Sequence, residues 1–371
     1  MNKYQEKAVG FLNSAGIAVN GGNPWDMQVL DERVFERVMK KGALGLGESY
    51  MDKWWSAEKP DEFFYRLLGA HLEDEVSLTF PLVIQGLKTV LSNRQSHRRG
   101  HKNARHHYDI GNDLFERMLG KTMAYSCGYW ANAETLDEAQ EAKFDLICRK
   151  MGLEKGMTIL DVGCGWGMFM KYAVDHYGVE AIGLTLSKEQ KEWGTEACRW
   201  LLIILQDYRK FRSPMFFDRI ISIGMVEHVG YRNYRVFMEK MRKLLKPNGL
   251  FLLHTIGANK SMFTGDSWME KYIFPGGQLP SVKQISKAVE GRFIIEDLHN
   301  FGSDYDKTLV AWHKNFTAAW PELKDKYGER FYRMWTYYLL SCAGSFRARH
   351  NQLWQIMLSP EGVRGGWKSV R

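Results

Sequence analysis

The sequence has no apolar run that could cross a bilayer. Its densest apolar stretch, residues 200–205, is far shorter than the ~18 residues that a membrane-spanning helix requires. Residues 1–7 carry mixed charge and no apolar segment follows them, so nothing marks the chain for secretion. We therefore expect a cytoplasmic protein.

Cysteine is scarce and scattered. No Cys-x-x-Cys pair occurs, and the number of cysteines is odd. The five are Cys127, Cys148, Cys164, Cys198 and Cys342. This pattern predicts neither a disulfide framework nor a zinc site, so no metal is expected.

Acidic residues do not balance the basic ones. Lys and Arg number 51 against 43 for Asp and Glu, and the resulting net charge of +8 favours a polyanionic surface as partner. Charge alone leaves phospholipid and nucleic acid both open. Aromatic residues make up 13% of the chain, which provides more π faces than a minimal core needs.

The composition shifts at a segment without any acidic residue. Residues 93–106 combine five Arg or Lys with several histidines, and we interpret them as an interdomain linker or basic arm. A solvated linker without a partner is the simpler interpretation of this segment. It separates a smaller, mostly helical N-terminal domain, residues 1–92, from a larger domain, residues 107–371.

Strand-like and helix-like segments alternate in the larger domain, which predicts a doubly wound α/β fold. The predicted strands are residues 157–162, 179–184, 201–206, 217–223 and 250–256. A helix over residues 137–151 carries an apolar stripe at Phe144, Ile147, Cys148 and Met151. A second stripe comprises Phe237, Met241, Leu244 and Leu245, and residues 246–249 are expected to end that helix and turn the chain.

The sharpest local motif is a strand that runs into Gly163, Gly165 and Gly167. The G-x-G-x-G spacing differs from the G-x-G-x-x-G of dinucleotide sites, and it resembles the first motif of class I S-adenosylmethionine-dependent methyltransferases. This resemblance implies a Rossmann-like fold with a mixed seven-stranded sheet. The implied cofactor-binding residues are Tyr125, Ser126, Asp161, Gly163, Cys164, Gly165, Trp166, Gly167, Thr185, Ser187, Gln190, Gln206, Asp207 and Tyr208. Thr185 and Ser187 could equally cap the next helix, and both roles are compatible.

Several further segments together closely resemble cyclopropane-fatty-acyl-phospholipid synthases. They are residues 42–50, 107–115, 123–130, 224–230, 251–257, 271–277, 304–306 and 341–344. The resemblance implies methylene transfer from S-adenosylmethionine across a cis double bond of a phospholipid acyl chain. It also implies that a bound bicarbonate ion deprotonates the cationic product, held by Cys127, Glu227, His254, Tyr305 and the backbone of Ile256.

Each of these residues also has a simpler interpretation. Glu227 could begin a helix and Cys127 could be a small buried hydrophobe, whereas an unpartnered buried His254 would be costly. Cys342 is kept as a minor catalytic candidate, with packing preferred. The aromatic candidates for stabilising a cation are Tyr129, Trp130, Tyr272, Phe274 and Tyr305.

The resemblance further implies partners and a location. These are unsaturated phospholipid, the inner face of the membrane as a peripheral surface, a lipid-engaging N-terminal domain and a homodimer, with no nucleic acid. The nearest alternative is a related enzyme that methylates acyl chains without ring closure, or that acts on carrier-bound chains. An NAD-dependent oxidoreductase would need the dinucleotide spacing, and a nonenzymatic lipid-transfer or nucleic-acid-binding protein is supported only by charge and aromatic content.

Overall fold

The computed structural model describes residues 3–71, 110–262 and 264–371. The helices are α1 (Lys3–Ser14), α2 (Arg33–Lys41), α3 (Ala43–Met51), α4 (Pro60–Gly69), α5 (Asn112–Leu119), α6 (Leu136–Met151), α7 (Met168–Tyr177), α8 (Lys188–Ala197), α9 (Tyr234–Leu244), α10 (Ser267–Tyr272), α11 (Val282–Val289), α12 (Ser303–Tyr327) and α13 (Glu329–Arg347). The strands are β1 (Gln28–Val29), β2 (Trp55–Ser56), β3 (Thr158–Val162), β4 (Glu180–Thr185), β5 (Leu202–Leu205), β6 (Phe217–Ile223), β7 (Leu245–Ala258), β8 (Ile294–Asn300) and β9 (Asn351–Ser359). Within these ranges, none of the helices has the length and apolar character needed to cross a bilayer.

The chain divides into two compact units, each of which is discontinuous in sequence. The helical unit comprises Met1–Leu91, Thr264–Pro275 and Tyr305–Asn351, and the sheet unit comprises Ser92–Phe263, Gly276–Asp304 and Gln352–Arg371. Two segments from the C-terminal half of the chain thus join the N-terminal helices in one unit. The proposed linker, residues 93–106, lies outside the described residues, so the domain boundaries at 92 and 107 stay a prediction.

The helical unit is built on close contact between α4 and α13. Gly344 permits this contact, because a Cβ atom there would lie 2.5 Å from the carbonyl oxygen of Asp61. Arg347, at the end of α13, forms ion pairs with Asp61, Glu62 and Asp306. The small antiparallel pair β1 and β2 completes the unit.

The sheet unit contains a mixed seven-stranded sheet in the order β5-β4-β3-β6-β7-β9-β8. Strands β3 to β7 pair in parallel, whereas β8 and β9 pair antiparallel. All five strands predicted from the sequence are present, with boundaries shifted by a few residues at most positions. The predicted α/β fold is therefore confirmed.

Helix α6 follows its sequence signals closely. Thr135 caps its first turn by accepting a hydrogen bond from the Glu138 amide, and the Glu138 side chain accepts one from the Thr135 amide in return. Gly152 ends the helix in the left-handed conformation. The predicted apolar stripe is buried against the sheet in a core cluster that includes Ile159 and Leu252.

The prediction for residues 244–249 was half wrong. Helix α9 does end at Leu244, but Leu245 already belongs to β7 and pairs with Phe217. The next paired residues are Arg219 and Leu250, so residues 246–249 bulge within the strand instead of forming a separate turn. The reason is that Leu245 is 2% exposed in the core beside β6, and burial of its apolar side chain there stabilises the strand conformation over a further helical residue.

Candidate active site

The glycine loop lies where the sheet topology predicts a ligand crevice. The chain passes from β3 to β4 on one side and returns through β6 on the other, so the carboxyl end of β3 is a topological switch point. Gly163, Gly165 and Gly167 follow it with φ of +90°, +55° and +84°. Such values are costly for residues with a Cβ atom, which explains the three glycines.

The two sides of this loop differ. A Cβ atom on Gly163 would lie 2.8 Å from the Met225 side chain, so that glycine packs against the turn after β6. A Cβ atom on Gly165 would meet nothing closer than Nε2 of the Gln190 side chain, at 4.0 Å. The backbone at Gly165 is thus open to a ligand, which fits the amino-acid part of a methyl donor that needs close backbone approach.

The predicted residues after β4 form one hydrogen-bonded group. Ser187 caps α8 by accepting from the Gln190 amide at 3.2 Å. The Thr185 hydroxyl donates to Gln190 Oε1 at 2.9 Å and accepts from the Ser187 amide. The capping role is therefore present, and the cofactor role of these residues stays a prediction.

The predicted residues after β5 are anchored from both sides. The Gln206 amide donates to the Thr185 carbonyl, and both Asp207 oxygens accept from Arg209, with Nη2 to Oδ2 at 2.6 Å. The Tyr208 ring packs edge-on against Phe237 with centroids 5.2 Å apart. A contact from Asp207 to adenine would therefore have to share a carboxylate that Arg209 already binds.

Aromatic rings connect the loop to the segment that precedes α6. Phe115 packs against both Trp166, at 5.2 Å between centroids, and Tyr125, at 5.3 Å. The Trp166 indole donates to Asn112 Oδ1 at 3.1 Å. Tyr125, Ser126 and the glycine loop all lie in the sheet unit, and the cofactor role of Tyr125 and Ser126 stays a prediction.

Asp161, at the end of β3, is buried and only partly satisfied. Its Oδ1 has no hydrogen-bond partner within the part of the chain that the structure describes. Burial raises the pKa of Asp161 to about 7, although the nearby Lys143 lowers it. A cationic group of a ligand placed beside this buried carboxyl would favour its ionised form and pair with it.

Glu227 lies in the short 3-10 turn Val226–His228, directly after β6. Its Oε1 accepts a hydrogen bond from the Ile256 amide at 2.7 Å, so the backbone of Ile256 orients this side chain. Its Oε2 is buried and has no partner in residues 3–71, 110–262 and 264–371. Burial raises the pKa of Glu227 to about 7, against the opposing effects of backbone hydrogen bonds and of the Thr255 side chain.

His254 lies on β7, opposite Ile223 of β6. Gln355 Nε2, a side-chain amide nitrogen that can only donate, lies 3.3 Å from His254 Nδ1, and this orientation of the amide assigns the acceptor role to Nδ1 and the proton to Nε2 of the ring. That Nε2 is buried and lacks a partner among the described residues. Burial, with smaller contributions from Lys143 and Lys150, lowers the pKa of His254 well below its usual value, so the ring is a neutral donor.

Other predicted residues of the sheet unit lie on the segment between α5 and α6. Cys127 is fully buried, and its thiol donates to the Gly128 carbonyl at 3.1 Å. The Trp130 amide donates to Asp304 at 2.7 Å. The Tyr129 ring lies 5.4 Å from Phe301, which in turn lies 5.9 Å from His254.

The remaining predicted residues belong to the helical unit. Tyr305 is buried against Phe346, with ring centroids 4.6 Å apart. Tyr272 donates to Glu48 at 3.0 Å, and Phe274 packs edge-on against Tyr338. Burial raises the pKa of Cys342 to about 12, which disfavours a nucleophilic thiolate. Their participation in the site stays a prediction.

The sequence interpretation missed four buried residues of the sheet unit: Gln140, Lys143, Phe301 and Gln355. Gln140 and Lys143 are three positions apart on α6, and such a polar row is usually a solvent-facing side of a helix. Both are 0% exposed. Gln355 lies on β9, whose residues after Asn351 are all buried, so no alternation in its sequence distinguished an inward face.

Glu227 should make the protein less stable as the pH rises. The unfolded carboxyl ionises near its ordinary value of 4.5, whereas the folded one holds its proton up to about 7. The contribution of protonated Glu227 to the free energy of unfolding is therefore fully present below pH 4.5 and is lost as the pH rises through about 7. Glutamine cannot ionise. We therefore expect the free energy of unfolding of Glu227→Gln near pH 8 to exceed that of the wild type by on the order of 2 kcal/mol.

Urea unfolding of both proteins near pH 5 and near pH 8 measures this difference. The pKa of Asp161 is raised in the same direction but is present in both proteins, so the comparison isolates Glu227. Parallel pH dependences for variant and wild type would refute the assignment.

Comparisons with known proteins bear on the whole chain. The family model for mycolic acid cyclopropane synthetase matches residues 95–356. The cyclopropane-fatty-acyl-phospholipid synthase of Escherichia coli (strain K12) is 49% identical over 362 residues, which are 97% of this chain and 94% of that protein.

Solved structures of similar fold include two cyclopropane synthases. A cyclopropane synthase from Mycobacterium tuberculosis has a TM-score of 0.66 and 31% identity, and the match covers 72% of this chain and 99% of that one. A mycolic acid cyclopropane synthase complexed with SAH and CTAB has a TM-score of 0.64 and 34% identity, with coverage of 70% and 97%. The predicted class I methyltransferase fold is confirmed. The chain therefore belongs to the mycolic acid cyclopropane synthetase family and is an S-adenosylmethionine-dependent methyltransferase.

Proposed function

We propose that the chain transfers a methylene from S-adenosylmethionine across the cis double bond of unsaturated acyl chains in phospholipids. One observation carries this proposal. Glu227 Oε2 and His254 Nε2 are buried and lack partners among the described residues. Glu227 follows the end of β6, where Met225 packs against Gly163 of the glycine loop, and His254 lies on the neighbouring strand β7 opposite Ile223. The name of the Escherichia coli relative supplies the substrate class.

The chemistry explains why such a site is useful. An alkene is a weak nucleophile, and bound S-adenosylmethionine supplies a strongly electrophilic sulfonium methyl group. Methyl addition leaves a cationic carbon on the acyl chain, which aromatic faces can stabilise by ~0.5–2 kcal/mol each. Tyr129 and Phe301 offer two such rings in the sheet unit, and Phe301 lies beside His254.

Ring closure then needs a base for one proton of the added methyl group. A weak base suffices because the neighbouring cation makes that proton strongly acidic. We infer that bicarbonate occupies this position. A neutral His254 can donate from Nε2 to an oxyanion oxygen, and Glu227 Oε2 can accept from the hydroxyl group of the ion. Ile256 contributes by orienting Glu227, since its amide already donates to that carboxyl group.

We also propose Cys127 of the sheet unit as a bicarbonate ligand, whereas the role of Tyr305, a buried residue of the helical unit, stays a prediction from the resemblance. We also propose that the chain acts at the inner face of the membrane, as a peripheral protein and as a homodimer. The net charge of +8 supports attraction to anionic headgroups, at about 1 kcal/mol for each Lys or Arg near the surface. Sedimentation with anionic and neutral vesicles, and light scattering of the protein alone, test these two points.

A deuterium experiment tests the reaction and separates it from its alternative. The protein is incubated with unsaturated phospholipid vesicles and S-adenosylmethionine that carries a trideuteriomethyl group. Ring closure removes one deuteron, so a cyclopropane retains two deuterons, whereas a methyl branch retains all three. Mass analysis of the acyl chains reads the difference directly, which an unlabelled donor would not reveal.

We expect the product with two deuterons. A product with three deuterons would favour methylation without ring closure. Activity on carrier-bound acyl chains, with no product from vesicles, would show that the substrate is not a phospholipid. Omission of bicarbonate from degassed buffer, followed by its return, should lower and restore turnover. A turnover rate that is the same with and without bicarbonate would contradict the assignment of bicarbonate as the base.

A further inference from the structure

Two polar side chains of α6 are completely buried in the sheet unit. Gln140 and Lys143 are both 0% exposed. A lysine is almost never buried without polar partners, because removal of its charge from water is expensive. Neither side chain belongs to a motif that the sequence singled out, so their contacts require an explanation.

Both side chains converge on Ser126. Lys143 Nζ donates to Ser126 Oγ at 2.8 Å and to Gln140 Oε1 at 2.6 Å. Gln140 Nε2 donates to the Ser126 carbonyl at 2.8 Å. Nearby, the Tyr129 amide donates to the Ala139 carbonyl at 2.8 Å, so α6 holds this segment along its length.

These contacts fix the direction of the Ser126 hydroxyl group. Burial lowers the pKa of Lys143 to about 7, and an anionic group bound nearby favours its charged form. In that form the ammonium has three donors and no acceptor, so Ser126 Oγ accepts from Lys143. The hydroxyl proton of Ser126 then points away from Lys143 and is available to an acceptor elsewhere. A buried cation behind a hydroxyl donor is an arrangement suited to an anionic group.

The charge of Lys143 has a buried counterpart in Asp161. The two groups interact electrostatically, yet no ion pair joins them among the described residues, and Asp161 Oδ1 lacks a partner there. A separated buried acid and base complement a zwitterion that brings one charge of each sign. The methyl donor ends in an α-amino group and an α-carboxylate. Gly165, whose backbone is open to a ligand, lies four residues after Asp161 in the chain.

We propose that Lys143 is the positioning residue for the carboxylate of the methyl donor, acting through the Ser126 hydroxyl group, while Asp161 faces the ammonium of the same amino-acid end. Gln140 supports this arrangement by fixing both Lys143 and the Ser126 backbone. The inference rests on the identity of the methyl donor and is independent of the lipid substrate and of bicarbonate.

Calorimetric binding of two ligands to the full chain tests this role. S-adenosylhomocysteine carries the amino-acid end, whereas 5′-methylthioadenosine lacks it. We expect Lys143→Met to weaken S-adenosylhomocysteine by ~10- to 100-fold and to leave 5′-methylthioadenosine unchanged. Equal weakening of both ligands would indicate general damage to the pocket, and unchanged binding of both would remove Lys143 from it; either result overturns the proposal.

Lys150→Met is the matched control. Lys150 lies on the same helix and is 1% exposed, but its Nζ lies 2.9 Å from His299 Nδ1 and does not contact Ser126. We expect this variant to bind both ligands as the wild type does. Loss of S-adenosylhomocysteine selectivity in Lys150→Met equal to that in Lys143→Met would overturn a specific role for Lys143.

Ser126→Ala keeps the test decisive if Lys143→Met does not fold. It removes the proposed donor but leaves the helix intact, and we expect the same selective loss for S-adenosylhomocysteine. Where both single variants fold, the double variant should bind no more weakly than either, because the two residues act in series. Additive losses would refute the route through Ser126. None of these measurements needs lipid turnover, so they stand apart from the proposed function.

Discussion

Glu227→Gln is expected to lower cyclopropane formation by ~10²- to 10⁴-fold and to leave S-adenosylhomocysteine affinity unchanged. The glutamine oxygen can still accept from the Ile256 amide, so the side chain should keep its orientation. At the second position, however, an NH₂ donor replaces the Oε2 acceptor. A bicarbonate hydroxyl group would then have no acceptor and the base would be misplaced.

The product pattern sharpens this prediction. When the base is misplaced, the cationic intermediate should lose a different proton more often, and the share of methyl-branched product with three deuterons should rise. Glu192→Gln, an exposed residue of α8 paired with Lys188, is the control and should behave as the wild type. Wild-type turnover in Glu227→Gln would remove Glu227 from the reaction.

Two glycine substitutions in one loop should fail for different reasons. At Gly163, alanine meets both a φ of +90° and a Met225 side chain 2.8 Å from its Cβ atom. Strain and clash together should cost about 3 kcal/mol of unfolding free energy or more, and should displace the turn that carries Glu227. At Gly165, the φ of +55° costs about 1 kcal/mol, and the new methyl group enters open space.

The second variant should therefore remain folded but bind S-adenosylhomocysteine ~100-fold more weakly, because the methyl group occupies the side where the ligand approaches. Gly156→Ala is the matched control: its φ is +85°, nothing lies within 4 Å of the added Cβ atom, and it precedes β3 on the opposite end of the strand. It should show the strain without the binding loss. Undiminished affinity in Gly165→Ala would mean that the glycine loop does not carry the methyl donor.

Most of the sheet unit could be predicted because its signals are local. The apolar run of β3, the glycines after it and the capping residues of α6 each act within a few residues. The mistake at residues 244–249 arose because Leu245 is buried beside Phe217, a partner 28 positions away in the chain. Such a contact has no local signature, and it overrode the turn propensity of proline and glycine.

The candidate site divides along the same line. Glu227 and His254 could be named from the sequence, since the resemblance covered their motifs, but their unpartnered atoms and the tautomer of His254 depend on Ile256 and Gln355. Lys143 was invisible in the sequence, because a lysine on a helix is read as solvent-facing unless its neighbours are known. Sequence by itself determined the positions of five of the seven strands of the sheet, β3 to β7, together with the glycine loop and the family, whose signals are short-range. Only the tertiary structure decided which polar groups are buried, because burial depends on what other segments bring to the same place.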